Sequence, residues 1–405
     1  MTPAQLQQFY ASGGPFRQAK SSTYRFLTTN VLTGQVMGDW LPVETQSFSR
    51  VINGPGTFTG SLDLIPSEPR QNTANLAAIT PRKAMLWCLQ DAVPVWNGIL
   101  WDWVPQSALQ QQLPVQASTL ESLLAKRIID NDLAFTSADV FDIARALVQF
   151  AFSKTPNGQV AGVTYSAGES GVTATLTFDG SQNTSVADAL GTLVTAYDLE
   201  WTFRPYMDAN GALRTSLDLG MPLGQPYPAS GLAYNFPGNL LDYVPTATGS
   251  TGANKVIATA QASGNSGTTP GDTGAALTGS AIDATDIANG YPLTEIAESA
   301  TGVNFTADSQ LDDYAAGHLP AVTATQMAPL VVLGNGQYPP LNVTQLGSYA
   351  SAAFTSAMHP PGPHGEPGFT ATGRVVAWTC YPPGSQQAEY SQIQLGAMPF
   401  EGDTL

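Results

Sequence analysis

The chain is poor in the residues that most chemistry needs. Of its 405 residues only three are histidine and two are cysteine, and charged residues amount to 11 %. No Gly-x-Ser-x-Gly, His-Glu-x-x-His, phosphate-binding loop or dinucleotide fingerprint occurs, so nucleophilic, zinc and nucleotide chemistry have no anchor in the sequence. Cys88 and Cys380 lie far apart in apolar, strand-like text without a CxxC or Cys/His spacing, which predicts two buried free thiols; a bridge between them is not forced. Basic residues are scarce too. Lys and Arg total 15 against 31 Asp and Glu, a net charge of -16, which argues against a protein that grips nucleic-acid phosphates. The start, MTPAQLQQFYASGG, has no basic-then-apolar leader, and no run of 18 apolar residues follows. A chain made soluble in a cytoplasm, without membrane insertion of its own, is the expectation, and a secreted β protein, which needs a leader, is disfavoured.

What is present is turn and strand text. Gly (39) and Pro (30) are abundant and 43 % of residues are hydrophobic, enough for several cores in a β-rich fold. The densest stretch is PRKAMLWCLQDAVPVWNGILWDWVP, residues 81 to 105, with four of the seven tryptophans. Ala84 to Leu89 and Val93 to Trp103 are two apolar runs around a polar turn at Gln90-Asp91-Ala92, a β-hairpin pattern. Val93, Val95, Ile99, Trp101 and Trp103 share one period-2 face, and Trp96 and Leu100 fall on the other. Both faces need cover. The hairpin is either sandwiched in a core or part of a barrel that also meets a partner, and Trp96, Leu100, Trp101 and Trp103 are the candidate assembly surface.

The fold class expected is β-rich α+β, two antiparallel β-barrel domains with an α+β insert between them. Residues 1–20 read as an arm, 21–113 as the first barrel, 114–237 as the helical insert, and 238–405 as the second barrel with a Gly/Ser/Thr-rich loop at about 262–290. In the insert, Ser118-x-x-Glu121 is a capping-box signature opening TLESLLAKRIID, Thr136 or Ser137 caps ADVFDIARALVQFAF, and Ser185 with Asp188 opens VADALGTLVTAYDL. A hairpin turning at Asp208 to Gly211 follows, and a later helix is expected from Ser309 to Leu319. HPPGPHGEPG, residues 359 to 368, reads as a stiff tip between two strands.

Three weak chemical readings remain. His359, His364 and Glu366 could offer ligands to a metal, although loop histidines between prolines are usually solvated. Asp198 and Glu200 could form a glycosidase-like carboxylate pair, but as near neighbours on a strand they more often mark a polar edge. Trp40, Trp96, Trp101, Trp103 and Trp201 could stack sugars, with core or subunit packing favoured by their alternation within strands. No catalytic residue, metal or cofactor is therefore assigned.

Several separated segments resemble the tail hub or minor tail proteins of long-tailed phages of actinobacteria. They are VINGPGTFTGSLDLI, the hairpin WCLQDAVPVWNGILW, the helix-to-strand element VADALGTLVTAYDLEWTF, Tyr291-Pro292-Leu293, the run Gln310 to Ala316, Leu346-Gly347 and Gly373-Arg374-Val375-Val376. Ser348 stands after Gly347 where an Asp is more familiar in the family. The likeness covers about residues 21 to 400. It implies the fold of a contractile-phage baseplate hub: a homotrimer of two barrels per chain that caps or continues the six-fold tail tube at the tail tip of the virion. Its implied partners are distal tail and tail tube proteins, the tape measure protein and other minor tail proteins, with phage DNA passing but not specifically bound.

The charge is uneven in a way that fits a lumen. From Gly238 to Leu405 thirteen carboxylates face two bases, Lys255 and Arg374, against eighteen and thirteen before it. Unpaired carboxylates repel passing phosphate. The candidate channel-lining acids are Asp283, Asp286, Asp308, Asp312 and Asp313; solubility alone is the plainer account of the excess. The rival class is a tail protein that binds or degrades host-surface carbohydrate, which needs exposed aromatics beside acids or paired acids in a cleft.

Overall fold

The computed structural model describes residues 22–105, 107, 110–248, 252–261, 276–300, 307–322, 326–327, 329–334, 346–383, 389–396 and 398–399. The expected arm at 1–20 and residues 262–275 of the expected loop lie outside them. The first stretch holds β1 (Tyr24–Asn30), β2 (Val36–Gly38), β3 (Val43–Val51), β4 (Thr57–Asp63), α1 (Pro69–Ala78), β5 (Ala84–Gln90), β6 (Val93–Trp103) and β7 (Gln112–Ser118). The middle holds α2 (Glu121–Leu124), β8 (Leu133–Asp139), α3 (Val140–Ser153), β9 (Val163–Tyr165), β10 (Thr173–Phe178), α4 (Val186–Tyr197), β11 (Glu200–Met207) and β12 (Leu213–Gly220). Then come β13 (Leu232–Phe236), β14 (Asp242–Val244), β15 (Ala247–Thr248), β16 (Lys255–Gln261), β17 (Ala276–Ile282), α5 (Ala284–Ala288), β18 (Glu295–Ser299) and α6 (Asp308–Val322). Beyond α6 lie β19 (Gln326–Met327), β20 (Leu330–Gly334), β21 (Tyr349–Phe354), β22 (Phe369–Tyr381), β23 (Tyr390–Leu395) and β24 (Met398–Pro399).

Strands from both ends of the chain share one 13-stranded sheet, ordered β14-β20-β23-β22-β3-β4-β7-β6-β5-β1-β2, with β13 and β21 joined through β22. The seam is β22. Its residues 369–374 pair with β21, and Ala377 to Cys380 pair with Val51 to Phe48 of β3. The strands expected in two separate β domains thus share a sheet and one apolar core, in which Phe48, Phe58 and Trp96 meet Tyr234, Phe354 and Trp378.

The sheet curls. Phe26 on β1 and Phe58 on β4 are four strand steps apart, roughly 19 Å in a flat sheet, yet their ring centroids are 5.8 Å apart. Leu41, two residues before β3, donates its N–H to the Phe26 carbonyl at 3.0 Å, so the far side of the first half returns to β1. In the second half Tyr243 on β14 stacks on Phe354 of β21 at 4.3 Å and lies 5.2 Å from Phe236 of β13. Each half wraps an apolar interior, and no ladder closes either into a complete ring among the described residues.

The hairpin of β5 and β6 is a wall between two cores. Leu86, Cys88, Trp96 and Leu100 face the sheet interior, while Met85, Trp87, Leu89 and Ile99 face the helices α3 and α4 with Trp201 and Phe203. Its turn, Asp91-Ala92, has both residues at positive φ (47° and 68°), the two-residue geometry whose twist matches the strands. Gly98 is required. A Cβ there would come 2.4 Å from the Ser118 carbonyl oxygen of β7 and 2.6 Å from the Trp96 ring.

In the middle, α4 follows its signature: Ser185 Oγ accepts the Asp188 N–H at 3.1 Å and donates to the Asp188 carboxylate at 2.6 Å. The hairpin of β11 and β12 turns at Asp208 to Gly211, whose backbone bonds close it. Two expectations are corrected. The long helix expected from Ser118 is only α2, because Ser118 belongs to β7 and Glu121 turns inward instead of capping. Helix α3 is capped by Asp139, whose Oδ1 accepts the Phe141 N–H at 2.9 Å, since Thr136 and Ser137 lie earlier, within β8 at the irregularity of its ladder with β10. Helix α1 carries little apolar text and was not foreseen.

The described part of the expected loop, residues 276 to 290, is ordered as β17 and α5. Its small side chains are the reason. A Cβ on Gly279 would lie 2.3 Å from the Leu311 backbone of α6, so this composition admits a closely packed helix rather than exposing the strand to solvent.

Candidate functional site

The structure places the expected assembly residues mostly inside the chain. Trp96 and Leu100 are completely buried, and Trp96 Nε1 donates to the Ser49 carbonyl at 2.9 Å while its ring packs 5.5 Å from Phe58. Neither can touch a partner. The two-sided apolar pattern reflects packing on both sides within one chain. Trp101 and Trp103 are half-buried; Trp101 packs on the helical core, Trp103 on the sheet core.

The acids have local work. Asp283 caps α5 by accepting the Thr285 N–H at 2.9 Å, and Asp286 is buried, which removes it from any lumen wall. Asp308 accepts the Thr278 N–H at 3.0 Å and Asp312 the Ser280 N–H at 2.8 Å. Four helical residues rise about 6 Å and two strand residues about 6.6 Å, so carboxylates at i and i+4 match alternate N–H groups of β17. Helix α6 thereby covers the edge of the sheet β18-β16-β17. Asp308 and Asp312 remain exposed, as does Asp313.

The chemical candidates dissolve into structure. Glu200 is held by Arg374 in a bidentate pair and also accepts the Leu223 N–H at 2.8 Å, while Asp198 stands exposed at the left-handed end of α4. They form no acid pair. His359 Nδ1 bonds the Tyr243 hydroxyl at 2.8 Å, and Glu366 accepts the His364 N–H within its own tip. Among the described residues no group of three His, Cys, Asp or Glu could hold a metal. Trp201 is buried, and exposed Trp40 is covered by the Arg25 guanidinium at 4.6 Å. Ser348, after the left-handed Gly347, accepts the Gln225 N–H at 3.2 Å, so this turn docks the segment after β12 onto the sheet.

Cys88 and Cys380 are buried thiols outside any disulfide, and burial pushes the Cys88 thiol well above its usual range. Because the thiolate is the reactive form, neither should take up a maleimide in native buffer, and both should react once denatured. Native labelling at the rate of a free thiol would contradict this packing.

Two ionic anchors escaped sequence reading. Arg50 and Glu121, each 2 % exposed, approach to 3.7 Å; Arg50 Nη2 donates to the Thr202 hydroxyl at 2.8 Å and to the Phe203 carbonyl. Glu121 accepts the Phe203 N–H at 2.9 Å. This knot and the Arg374–Glu200 pair bind β11 to the main sheet. Their partners are distant in sequence, so no local pattern signals them.

What is left free is surface. The sheet ends in three terminal strands among the described residues, β13, β2 beside exposed Val36 and Trp40, and β14 beside exposed Leu241 and Val244. Unpaired strand edges with apolar side chains are ready sites for another chain. No helix among the described residues is long and apolar enough to cross a membrane.

This architecture is that of phage tail proteins. The chain is similar in structure to a tail protein from Neisseria meningitidis MC58, with a TM-score of 0.57 and 12 % identity over 93 % of this chain and 96 % of the other. It is likewise similar to the prophage MuSo2 43 kDa tail protein from Shewanella oneidensis (TM-score 0.54, 12 % identity, 92 % and 98 % covered). The prophage tail protein gp18 from Listeria monocytogenes EGD-e follows at 0.52 and 10 % identity, with 93 % and 94 % covered. No family model matches the sequence, and no curated protein does.

Proposed function

We propose that this chain is a non-catalytic structural protein of a phage tail tip, a hub whose three copies form a ring on the six-fold tail tube. The observation that carries this reading is the pair of curled half-sheets in one chain, joined along β22 and β3. Read as two barrels, they give each copy two similar faces, and three copies give six. The full-length likeness to tail proteins supports the same role. In such a ring unpaired carboxylates of the acidic second half, Asp283 among them, would turn toward the lumen and let DNA pass without holding it. The open edges at β2 and β14 would serve the distal tail, tail tube, tape measure or minor tail proteins of the virion.

Native mass spectrometry tests the ring directly. A species of three 42.5 kDa chains is expected, with a central opening under the electron microscope. A chain that stays monomeric at every concentration, with or without purified tail tubes, would remove this function.

A further inference from the structure

The bases of this acidic chain are not spread evenly over its surface. Thirteen of the fifteen Lys and Arg residues are described, Arg17 and Lys20 being outside. Eight of the thirteen are ion-paired: Arg25, Arg50, Arg145, Lys154, Arg204, Arg214, Lys255 and Arg374. Of the five without a carboxylate partner among the described residues, Arg82, Lys83, Lys126 and Arg127 line two adjoining clefts of about 600 and 510 Å³, and only Arg70 lies elsewhere. The clefts share Arg82, Trp101 and Lys126 as walls, so they form one trough, and Asp102 is the one carboxylate lining it.

The trough is pre-formed. Trp101 Nε1 donates to Ser122 Oγ at 2.9 Å, and Ser122 Oγ donates to the Thr119 carbonyl at 2.7 Å, which fixes the indole plane. The Lys126 ammonium rests 5.0 Å from the centre of that ring. Arg82, at φ 64°, is pinned by its N–H to the Leu100 carbonyl at 2.7 Å. Arg127 is the half-buried floor, donating to the Gly158 carbonyl at 3.2 Å, and Arg82, Lys83 and Lys126 are exposed. Three exposed cations against the single carboxylate of Asp102, beside a half-buried indole, describe a receptor for an acidic, partly apolar surface.

We infer that this trough receives the acidic face of a second copy of the chain, centred on the exposed side of α6, an inference that rests on the ring reading above. Charge complementarity selects the occupant. A chain of net charge -16 repels its own copies unless opposite poles meet, and this chain has such poles, with thirteen carboxylates against two bases after residue 237. Helix α6 carries Asp308, Asp312 and Asp313 exposed, the first two also bonded to β17 and Asp313 at the rim of a cleft it shares with Asp198, and the cation trough is concave. The two surfaces are different parts of the chain, so the contact is heterologous, the type that closes into a ring when its rotation closes and otherwise runs on as a filament.

The test measures self-association by light scattering at low and high salt on four samples. These are the unchanged chain, Arg82→Glu with Lys126→Glu, Asp313→Lys with Ala316→Lys, and the two variants mixed. All altered residues are exposed, so melting temperatures should stay at the unchanged value, which separates misfolding from lost contact. The unchanged chain should assemble, with Kd weakened about tenfold or more in 1 M salt, where screening falls to about 3 Å. Each variant alone should be monomeric, and the mixture should regain assembly. An oligomer indifferent to salt and to both charge reversals overturns the trough as interface and leaves the ring standing. A chain that never self-associates removes the ring, and this inference with it. A trough that binds a single-stranded oligonucleotide through Arg82 and Lys126 while assembly persists in the variant assigns it to a polyanion and overturns the inference equally.

Discussion

Arg50→Met should destabilise the chain by about 3–5 kcal/mol, the range for stripping one partner from a buried ion pair. Burial lowers the pKa of Arg50, and opposing that is first Glu121. With the guanidinium gone, Glu121 keeps the Phe203 N–H and the Thr202 hydroxyl at 3.2 Å but sits as an uncompensated charge at 2 % exposure. Thr202 and the Phe203 carbonyl also lose their donor. The pair is itself an expensive arrangement, since both ions are removed from water and their remaining atoms are not fully satisfied: Arg50 Nε and Nη1 and Glu121 Oε2 have no hydrogen-bond partner among the described residues. The double variant Arg50→Met with Glu121→Leu should therefore recover most of the loss. Denaturant melts of the two singles and the double form a complete cycle. Equal stability of Arg50→Met and the unchanged chain would show that the knot does not hold β11 to the sheet.

Local patterns were legible where the partner is local. The period-2 text of residues 84 to 103 gives the hairpin, and Ser185 with Asp188 gives the start of α4, because both ends of each interaction lie within a few residues. The same capping signature at Ser118 and Glu121 misleads. There the strand β7 claims Ser118 through its pairing with Thr57, and Glu121 serves Phe203, 82 positions away. Helix α1 is nearly invisible because Pro69 to Ala78 buries only Asn75 and Ala78. Strand β17 was hidden by its small residues, which fit under α6 but register as too polar to bury. Trp96 and Leu100 oppose Ile99 and Trp101 as the period-2 text predicts, but irregularities in the pairing of β6 bring Val95 and Trp103 into the core of Trp96, and periodicity cannot say whether that face is covered by the same chain or another. The cations around Trp101 carry no signal in the sequence for a related reason: Arg82-Lys83 and Lys126-Arg127 are ordinary doublets until folding sets them on one trough.

Trp96→Ala should lower stability by about 3–5 kcal/mol, the usual loss for a fully buried aromatic, rather than weaken assembly. Trp96 packs on Phe58 of β4, reaches β3 through its bond to the Ser49 carbonyl, and lies against Gly98 on its own strand. Truncation would open a cavity at the junction of β3, β4 and β6, where the collar set by Gly98 and the β7 backbone cannot collapse freely. The hairpin has Met85, Trp87 and Ile99 on its other side, in the helical core. Loosening the wall should thus lower the melting of both cores together, as one transition shifted down. Trp96→Phe should recover part of the loss, since a ring remains against Phe58 while the donor to Ser49 does not. If Trp96→Ala left the melting temperature unchanged and instead dispersed an oligomer, Trp96 would be an interface residue after all, and the hairpin would face a partner rather than divide two cores.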